Sequence, residues 1–494
     1  MNYKSTRNSN VSVTSAEAIA EGISPDGGLY LPEIIPSFTE AELDRLADED
    51  YIGRAKTVLS KFLTDYTEDE IDTCVRNAYK GTFDNDEPAP LARLNDKEYV
   101  LELWHGPTCA FKDLALQLLP YLMTTAVKKT GGKKTVILVA TSGDTGKAAL
   151  EGFKDVDGTD IIVFYPSDGV SDMQKLQMQT QRGKNVMVCA IKGNFDDAQT
   201  GVKRIFTDKE MCDRLDSAGY AFSSANSINW GRLVPQIVYY VSLYCDLKKS
   251  GADIKDGFNV VVPTGNFGNI LAAYYAKRMG IPIAKLICAS NANNVLTEFI
   301  NTGVYNKNRK FYTTFSPSMD ILVSSNLERL LYLLCGCSDK VNSELQKELS
   351  TVGEYTVSPD VEKAIRSDFA ADWCSDDETL EAIKKYFDEY GYLCDTHTAV
   401  AAGVYEKYVN KTGDKRTTVI VSTASPYKFT PAVLKALGYD TAETDGFILA
   451  EKLEKLTGTS APESLTALKG AEVRFGNVCD REDMKDVICE YLGI

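Results

Sequence analysis

From about residue 97 onward, short apolar runs alternate with helix-like segments. Seven runs read as strands: 99–103, 135–140, 161–165, 186–191, 258–262, 283–289 and 417–421. Helical patterns such as 270–279 and 399–409 separate most of them. Strand–helix alternation of this kind predicts a mainly parallel sheet covered on both faces. In such sheets ligands sit beyond the carboxyl ends of the strands, where glycine-rich loops lead into helices.

The first ninety or so residues have a different pattern and read as mostly helical. Thr14 with Glu17, Thr39 with Glu42 and Thr67 with Glu70 are each spaced as capping boxes, in which a threonine and a glutamate satisfy each other's backbone amides at a helix start. Ser24-Pro25-Asp26-Gly27-Gly28 is a turn-rich loop, and Glu87-Pro88-Ala89-Pro90 marks a boundary. The expected division is a mostly helical unit at 1–93, an α/β unit at 94–440 and a small helical or α+β cap at 441–494. Within the α/β unit, about 134–230 forms a smaller subdomain. The acidic stretch at about 338–390, densest at Ser375-Asp376-Asp377-Glu378, reads as a solvated helical elaboration.

Composition narrows the function classes. The chain has 494 residues, 44% hydrophobic and 25% charged, as in an ordinary globular protein. Its net charge of −16 argues against a nucleic-acid partner, which would demand a basic face. No stretch approaches the ~20 apolar residues of a membrane span, so no membrane partner is expected. The opening Met-Asn-Tyr-Lys-Ser-Thr-Arg leads into no apolar run, and the 12 cysteines lack any Cys-x-x-Cys spacing. Reduced thiols in a cytoplasmic protein are the expectation. With His105 and His397 the only histidines, no metal site is expected.

Three loops carry candidate chemistry. Lys112 ends the string Leu103-Trp104-His105-Gly106-Pro107-Thr108-Cys109-Ala110-Phe111-Lys112-Asp113, ahead of an apolar helix-like run. Buried lysines are rare unless paired or chemically employed; Asp113 is the bland partner. Two strand–loop–helix units have the form of anion cradles: Ser142-Gly143-Asp144-Thr145-Gly146 and Gly265-Asn266-Phe267-Gly268-Asn269. Amides at a helix start, with glycines allowing close approach, hold an anion against the positive end of the helix dipole. Read alone, each is equally a tight turn. A lysine followed by two such loops is what a pyridoxal-phosphate enzyme needs: a Schiff-base amine, a seat for the cofactor phosphate and a seat for a substrate carboxylate. Lys192-Gly193-Asn194-Phe195 echoes the second cradle, but two aspartates follow it and would repel a phosphate. Asn226-Ser227-Ile228-Asn229-Trp230-Gly231-Arg232 adds one fixed cation suited to a phosphate, although a surface loop or helix start is the commoner reading of such a string. Ser422-Thr423-Ala424-Ser425-Pro426 follows an expected strand and reads equally as an ordinary loop or as a source of a hydroxyl for a pyridine nitrogen.

Together these residues resemble the threonine synthases, pyridoxal-phosphate enzymes of the tryptophan-synthase β-subunit fold. The resemblance covers most of the chain: residues 3–7, 24–29, 105–113, 141–146, 226–232, 263–269, 316–321, 324–326 and 397–400. The string His-Gly-Pro-Thr-x-Ala-Phe-Lys-Asp is its most specific part. The resemblance implies fold type II, with two mainly parallel sheet subdomains flanking pyridoxal 5'-phosphate and a helical N-terminal domain. It implies that Lys112 carries the Schiff base and serves as general base. Gly265, Asn266, Phe267, Gly268 and Asn269 would hold the cofactor phosphate, and Thr423 would face the pyridine nitrogen. Ser142, Gly143, Asp144 and Thr145 would take the substrate carboxylate, and Arg232 the substrate phosphate. The implied substrate is O-phospho-L-homoserine, converted with water to L-threonine and phosphate by a monomer or weak homo-oligomer.

Three positions depart from the family pattern. Asn269 stands where relatives often have Asp, which should not harm a phosphate seat. Ser425-Pro426 replaces a common His-Pro. Asp395-Thr396-His397 replaces Asp-Pro-His, expected to be structural. The alternatives are another lyase of the same fold, such as a serine/threonine dehydratase or a cysteine-synthase-like enzyme, and a non-catalytic homologue that binds the cofactor.

Overall fold

The computed structural model describes residues 1–494 except 85, 86, 142, 168, 169, 171, 440 and 441, and except the side chains of 172 and 196. All seven expected strands are present, within two residues of the expected bounds at each end. They fall into two sheets. The larger has the order Phe369–Trp373, Ile283–Ser290, Phe258–Pro263, Thr418–Ser422, Glu98–Glu102, Leu91–Arg93. Its first five strands run parallel and only the Leu91–Arg93 edge is antiparallel. The smaller sheet, all parallel, has the order Val478–Cys479, Val186–Ile191, Thr159–Pro166, Lys134–Ala140, Tyr220–Ser223.

The central strands of both sheets are buried along almost their whole length, Thr159–Pro166 and Phe258–Pro263 at every residue. Burial on both faces accounts for their near-continuous apolar sequence. Helix Trp230–Lys249 lies deep in the molecule, buried at most of its positions. It packs against helices Tyr51–Phe62 and Gly268–Arg278.

All three capping boxes close as the spacing predicts, at Thr14, Thr39 and Thr67, opening helices Ser15–Glu21, Glu40–Asp48 and Glu68–Tyr79. The N-terminal region also holds a small antiparallel sheet, Asn8–Val13, Tyr3–Ser5 and Tyr30–Pro32. Two of these strands have three residues, too few to show alternation. Its Ser24–Gly28 loop is fixed by Asp26, which accepts hydrogen bonds from the Ser5 and Ser24 hydroxyls and the Gly28 amide. The acidic stretch holds three helices, Asp339–Thr351, Pro359–Asp368 and Asp376–Tyr390, and two strands. Glu354–Thr356 pairs with Val304–Asn306, and Phe369–Trp373 forms an edge of the larger sheet. Phe-Ala-Ala-Asp-Trp is too mixed to stand out as a strand beside long acidic helices. Among the described residues, no helix is long and apolar enough to cross a membrane.

An N-cap threonine is worth about 1 kcal/mol. Thr67→Ala should lower stability by about that amount, read as a lower urea midpoint of the far-ultraviolet circular dichroism transition.

Candidate functional site

Strands Phe258–Pro263, Thr418–Ser422 and Glu98–Glu102 are neighbours running the same way. Their carboxyl ends therefore deliver three loops to one place: the Gly265–Asn269 cradle, the Thr423 segment and the loop leading to Lys112. The lysine loop is laced to the Thr423 segment by backbone hydrogen bonds. Leu103 N–H donates to Ser422 O at 2.9 Å, Phe111 N–H to Thr423 O at 2.9 Å and Ser425 N–H to Cys109 O at 3.1 Å. Lys112 opens the short helix Lys112–Leu116, with its side chain 12% exposed. Asp113 is not its partner, because the Thr108 amide (2.8 Å) and hydroxyl (2.7 Å) take both Asp113 oxygens. Burial nonetheless pushes the Asp113 carboxyl up to about 6.

The second cradle is built as a glycine-rich phosphate seat requires. Phe267 sits in the left-handed region at φ 64°, turning the chain into helix Gly268–Arg278. The carbonyls of Gly265 and Asn266 are drawn outward. Gly265 O accepts from the Ser324 hydroxyl at 2.7 Å, and Asn266 O from the Asn326 amide N–H and Nδ2, both at 3.1 Å. Among the described residues, no hydrogen bond uses the backbone N–H of Gly265, Asn266 or Phe267. A Cβ on Gly265 would lie 2.8 Å from the Ser318 carbonyl, so only glycine lets the loop at 316–320 come this close. That loop is held by His397. Ser318 N–H donates to His397 Nε2 at 3.1 Å, which leaves Nδ1 to donate to Asp395 at 2.9 Å. The Asp-Thr-His string thus helps hold the loop that packs on the cradle.

Asn269 explains why an amide can replace a carboxylate. Its Oδ1 accepts from the hydroxyls of Tyr239 (2.7 Å) and Tyr240 (2.6 Å), while Nδ2 is buried without a partner. An orphaned buried donor beside free amides fits an anion. Arg232 lies one turn before Gln236 on helix Trp230–Lys249, and a Cβ on Gly268 would lie 3.7 Å from Gln236 Nε2. Arg232 is buried. It donates to Ala225 O at 2.5 Å, its Nε has no partner, and no described carboxylate pairs with it. Burial lowers its guanidinium to about 10.

The first cradle follows strand Lys134–Ala140 of the smaller sheet. Ser142 lies outside the described residues. Thr141 Oγ1 accepts from the amides of Gly143 (3.1 Å) and Gly146 (3.0 Å), which leaves the Asp144 and Thr145 end of the helix to an incoming anion. A Cβ on Gly143 would lie 2.6 Å from the Gln174 side chain. Asp144 turns toward two lysines. Its Oδ1 lies 2.6 Å from Lys428 Nζ, and its Oδ2 lies 3.8 Å from Lys112 Nζ. Burial opposes its charge, but Lys428 and Lys112 outweigh burial and hold Asp144 well below the usual carboxylate range. For Lys112, burial dominates and lowers the amine below an ordinary lysine; Asp144 opposes this, and Lys428 and Arg232 add to it.

Lys428 is the residue that sequence reasoning missed. The signal was present, since Tyr427 and Phe429 flank it and a lysine in apolar company had already drawn attention to Lys112. Thr423 is buried, and its hydroxyl makes no hydrogen bond within the described residues. The Gly193 echo is closed, because a Cβ there would lie 2.6 Å from Asp197, whose carboxylate reaches back to the Asn194 amide at 3.0 Å.

Comparison with known proteins agrees with this geometry. A family model described as threonine synthase N terminus matches residues 2–79. One described as pyridoxal-phosphate dependent enzyme matches 85–424, and one described as threonine synthase, C-terminal, matches 398–488. Threonine synthase-like 1 of Homo sapiens is 42% identical over 433 residues, 85% of this chain and 58% of that protein. The chain thus spans only 58% of the length of that relative. The threonine synthase of Schizosaccharomyces pombe is 38% identical over 467 residues, 88% of this chain and 89% of that one. The crystal structure of threonine synthase from Brucella melitensis with pyridoxal phosphate bound superposes with a TM-score of 0.88 at 38% identity, covering 100% of this chain and 98% of that one. The fold is therefore fold type II, the cofactor is pyridoxal phosphate, and the chain belongs to the threonine synthase family.

Proposed function

We propose that the protein converts O-phospho-L-homoserine and water to L-threonine and phosphate. The observation that carries this reading is Arg232, a buried guanidinium without an anionic partner among the described residues, in electrostatic reach of Lys112. A phosphorylated substrate supplies the missing anion. The substrate of a serine or threonine dehydratase has a carboxylate but no second anion, and so offers nothing more for Arg232 to hold.

Each of the chain's own residues then has a task. Lys112 would hold the cofactor through its amine, and the cradle at Gly265–Asn269 would hold its phosphate through the loop amides and Asn269 Nδ2. Thr423 offers its hydroxyl to the pyridine nitrogen. The bound cofactor supplies an electron sink for charge developing on the substrate carbons. Lys112 faces both cradles with an amine whose affinity for protons is lowered by burial. It takes the α-proton, releases that proton to water, and is then free to take a β-proton, the role of a positioned general base. Arg232 holds the phosphate and stabilises its charge as the bond to the γ-carbon breaks. Water adds at the β-carbon, and protons return to the α- and γ-carbons. The Asp144 and Thr145 amides, with the Thr145 hydroxyl, hold the substrate carboxylate throughout.

The direct test is release of phosphate and threonine from O-phospho-L-homoserine. The wild type should release both in equal amounts; a protein that binds cofactor but releases ammonia and an oxoacid from threonine is a dehydratase. Arg232→Gln should cut kcat/KM for the phosphorylated substrate by roughly 10–100-fold, in line with loss of a charge-assisted hydrogen bond. Its visible cofactor band should persist, and an unchanged KM would remove Arg232 from this role. Gly265→Ala should weaken cofactor binding by at least about tenfold, since a Cβ there collides with the Ser318 carbonyl. Absorbance titration of cofactor-free protein measures the loss.

A further inference from the structure

We propose that Lys428 is a positioning residue that clamps the Asp144 loop of the smaller sheet to the lysine loop of the larger one, fixing Asp144 at its distance from Lys112. Lys428 ends the short 3-10 turn Pro426–Lys428, which follows Thr423 and is opened by Pro426 and the Ser425 side chain. Its side chain is 1% exposed. Among the described residues its ammonium has two partners, on different loops: Asp144 Oδ1 at 2.6 Å and the Thr108 carbonyl at 2.9 Å. Thr108 is in turn tied to Asp113, the neighbour of Lys112. One cation thus joins the turn after strand Thr418–Ser422, the lysine loop and the helix start after strand Lys134–Ala140.

The geometry separates the two lysines by task. Asp144 commits Oδ1 to Lys428 and to Gln174 Nε2 at 3.0 Å, and turns Oδ2 to Lys112 at 3.8 Å, beyond hydrogen-bond length. Without Lys428, Asp144 would be free to close on Lys112 as a direct ion pair and draw a proton onto its amine. A lysine buried this fully is costly to keep unless its contacts are retained. The reaction proposed above already has its amine in Lys112. The charged groups that bear on Lys112 are Asp144, Lys428, Arg232 and Asp113, so removing one of them has a defined sign.

The test reads Lys112 directly in cofactor-free protein and so does not depend on which substrate the enzyme takes. The pH dependence of reductive methylation at Lys112, followed by peptide mass, gives the titration midpoint of its amine. Lys428→Met should raise that midpoint by about one pH unit, the size expected for losing a nearby like charge. Lys428→Arg should return it at least halfway to wild type. Asp144→Asn should move it in the opposite direction, and this variant keeps the test decisive if Lys428→Met fails to fold. Amide hydrogen exchange at residues 108–112 and 144–147 should quicken about tenfold or more in Lys428→Met, the signature of loops that have lost their tie. A folded Lys428→Met with an unchanged midpoint and unchanged exchange at both loops would overturn the proposal, as would an unchanged midpoint in folded Asp144→Asn.

Discussion

The site depends on the side-by-side, parallel arrangement of three strands: Phe258–Pro263, Thr418–Ser422 and Glu98–Glu102. Parallel neighbours end on the same edge of the sheet, so loops far apart in sequence emerge together. The backbone lacing between the lysine loop and the Thr423 segment continues that pairing beyond the sheet, down to the bridge between Ala110 and Ala424. Lys112 is thereby placed by hydrogen bonds of the fold itself, on a helix start whose neighbours are buried.

Charge is the second constraint. A protein with a net charge of −16 builds, at one interior place, a cluster in which Lys112, Lys428 and Arg232 outnumber Asp144. Asp113 is a second carboxylate nearby, with both of its oxygens committed to Thr108. Cations gathered in a low-dielectric pocket repel one another unless anions are supplied. On the proposed function, the cofactor phosphate, the substrate carboxylate and the substrate phosphate are the anions that would balance the cluster. Burial, with the crowding of cations added to it, keeps the Lys112 amine more readily deprotonated than an exposed lysine, which suits a nucleophile and general base.

Much of this was legible in the chain. Strand periodicity, capping boxes and the glycine-rich loops are local features, and the structure shows them at the expected positions. The rejection of the Gly193 echo also followed from local chemistry, since the nearby Asp197 fills the space a phosphate would need. What the sequence concealed were matters of pairing between distant segments. Lys428 gains its meaning only when Asp144 and Thr108 are beside it, more than 280 residues away along the chain. His397 reaches the cradle only through Ser318, and Asn269 shows why its amide suits the site only once Tyr239 and Tyr240 take its oxygen. The three-residue strands at the N-terminus and the mixed strand Phe369–Trp373 were hidden because neither carries enough residues of one kind to set a period.

The account rests on Lys112, and not its neighbour Lys428, being the lysine that bonds the cofactor. Borohydride reduction of the yellow holoenzyme, followed by peptide mapping, fixes the cofactor to whichever lysine held it. The account predicts a single labelled peptide carrying Lys112, with Lys428 unmodified. Label on Lys428, or spread over surface lysines with none on Lys112, would contradict it.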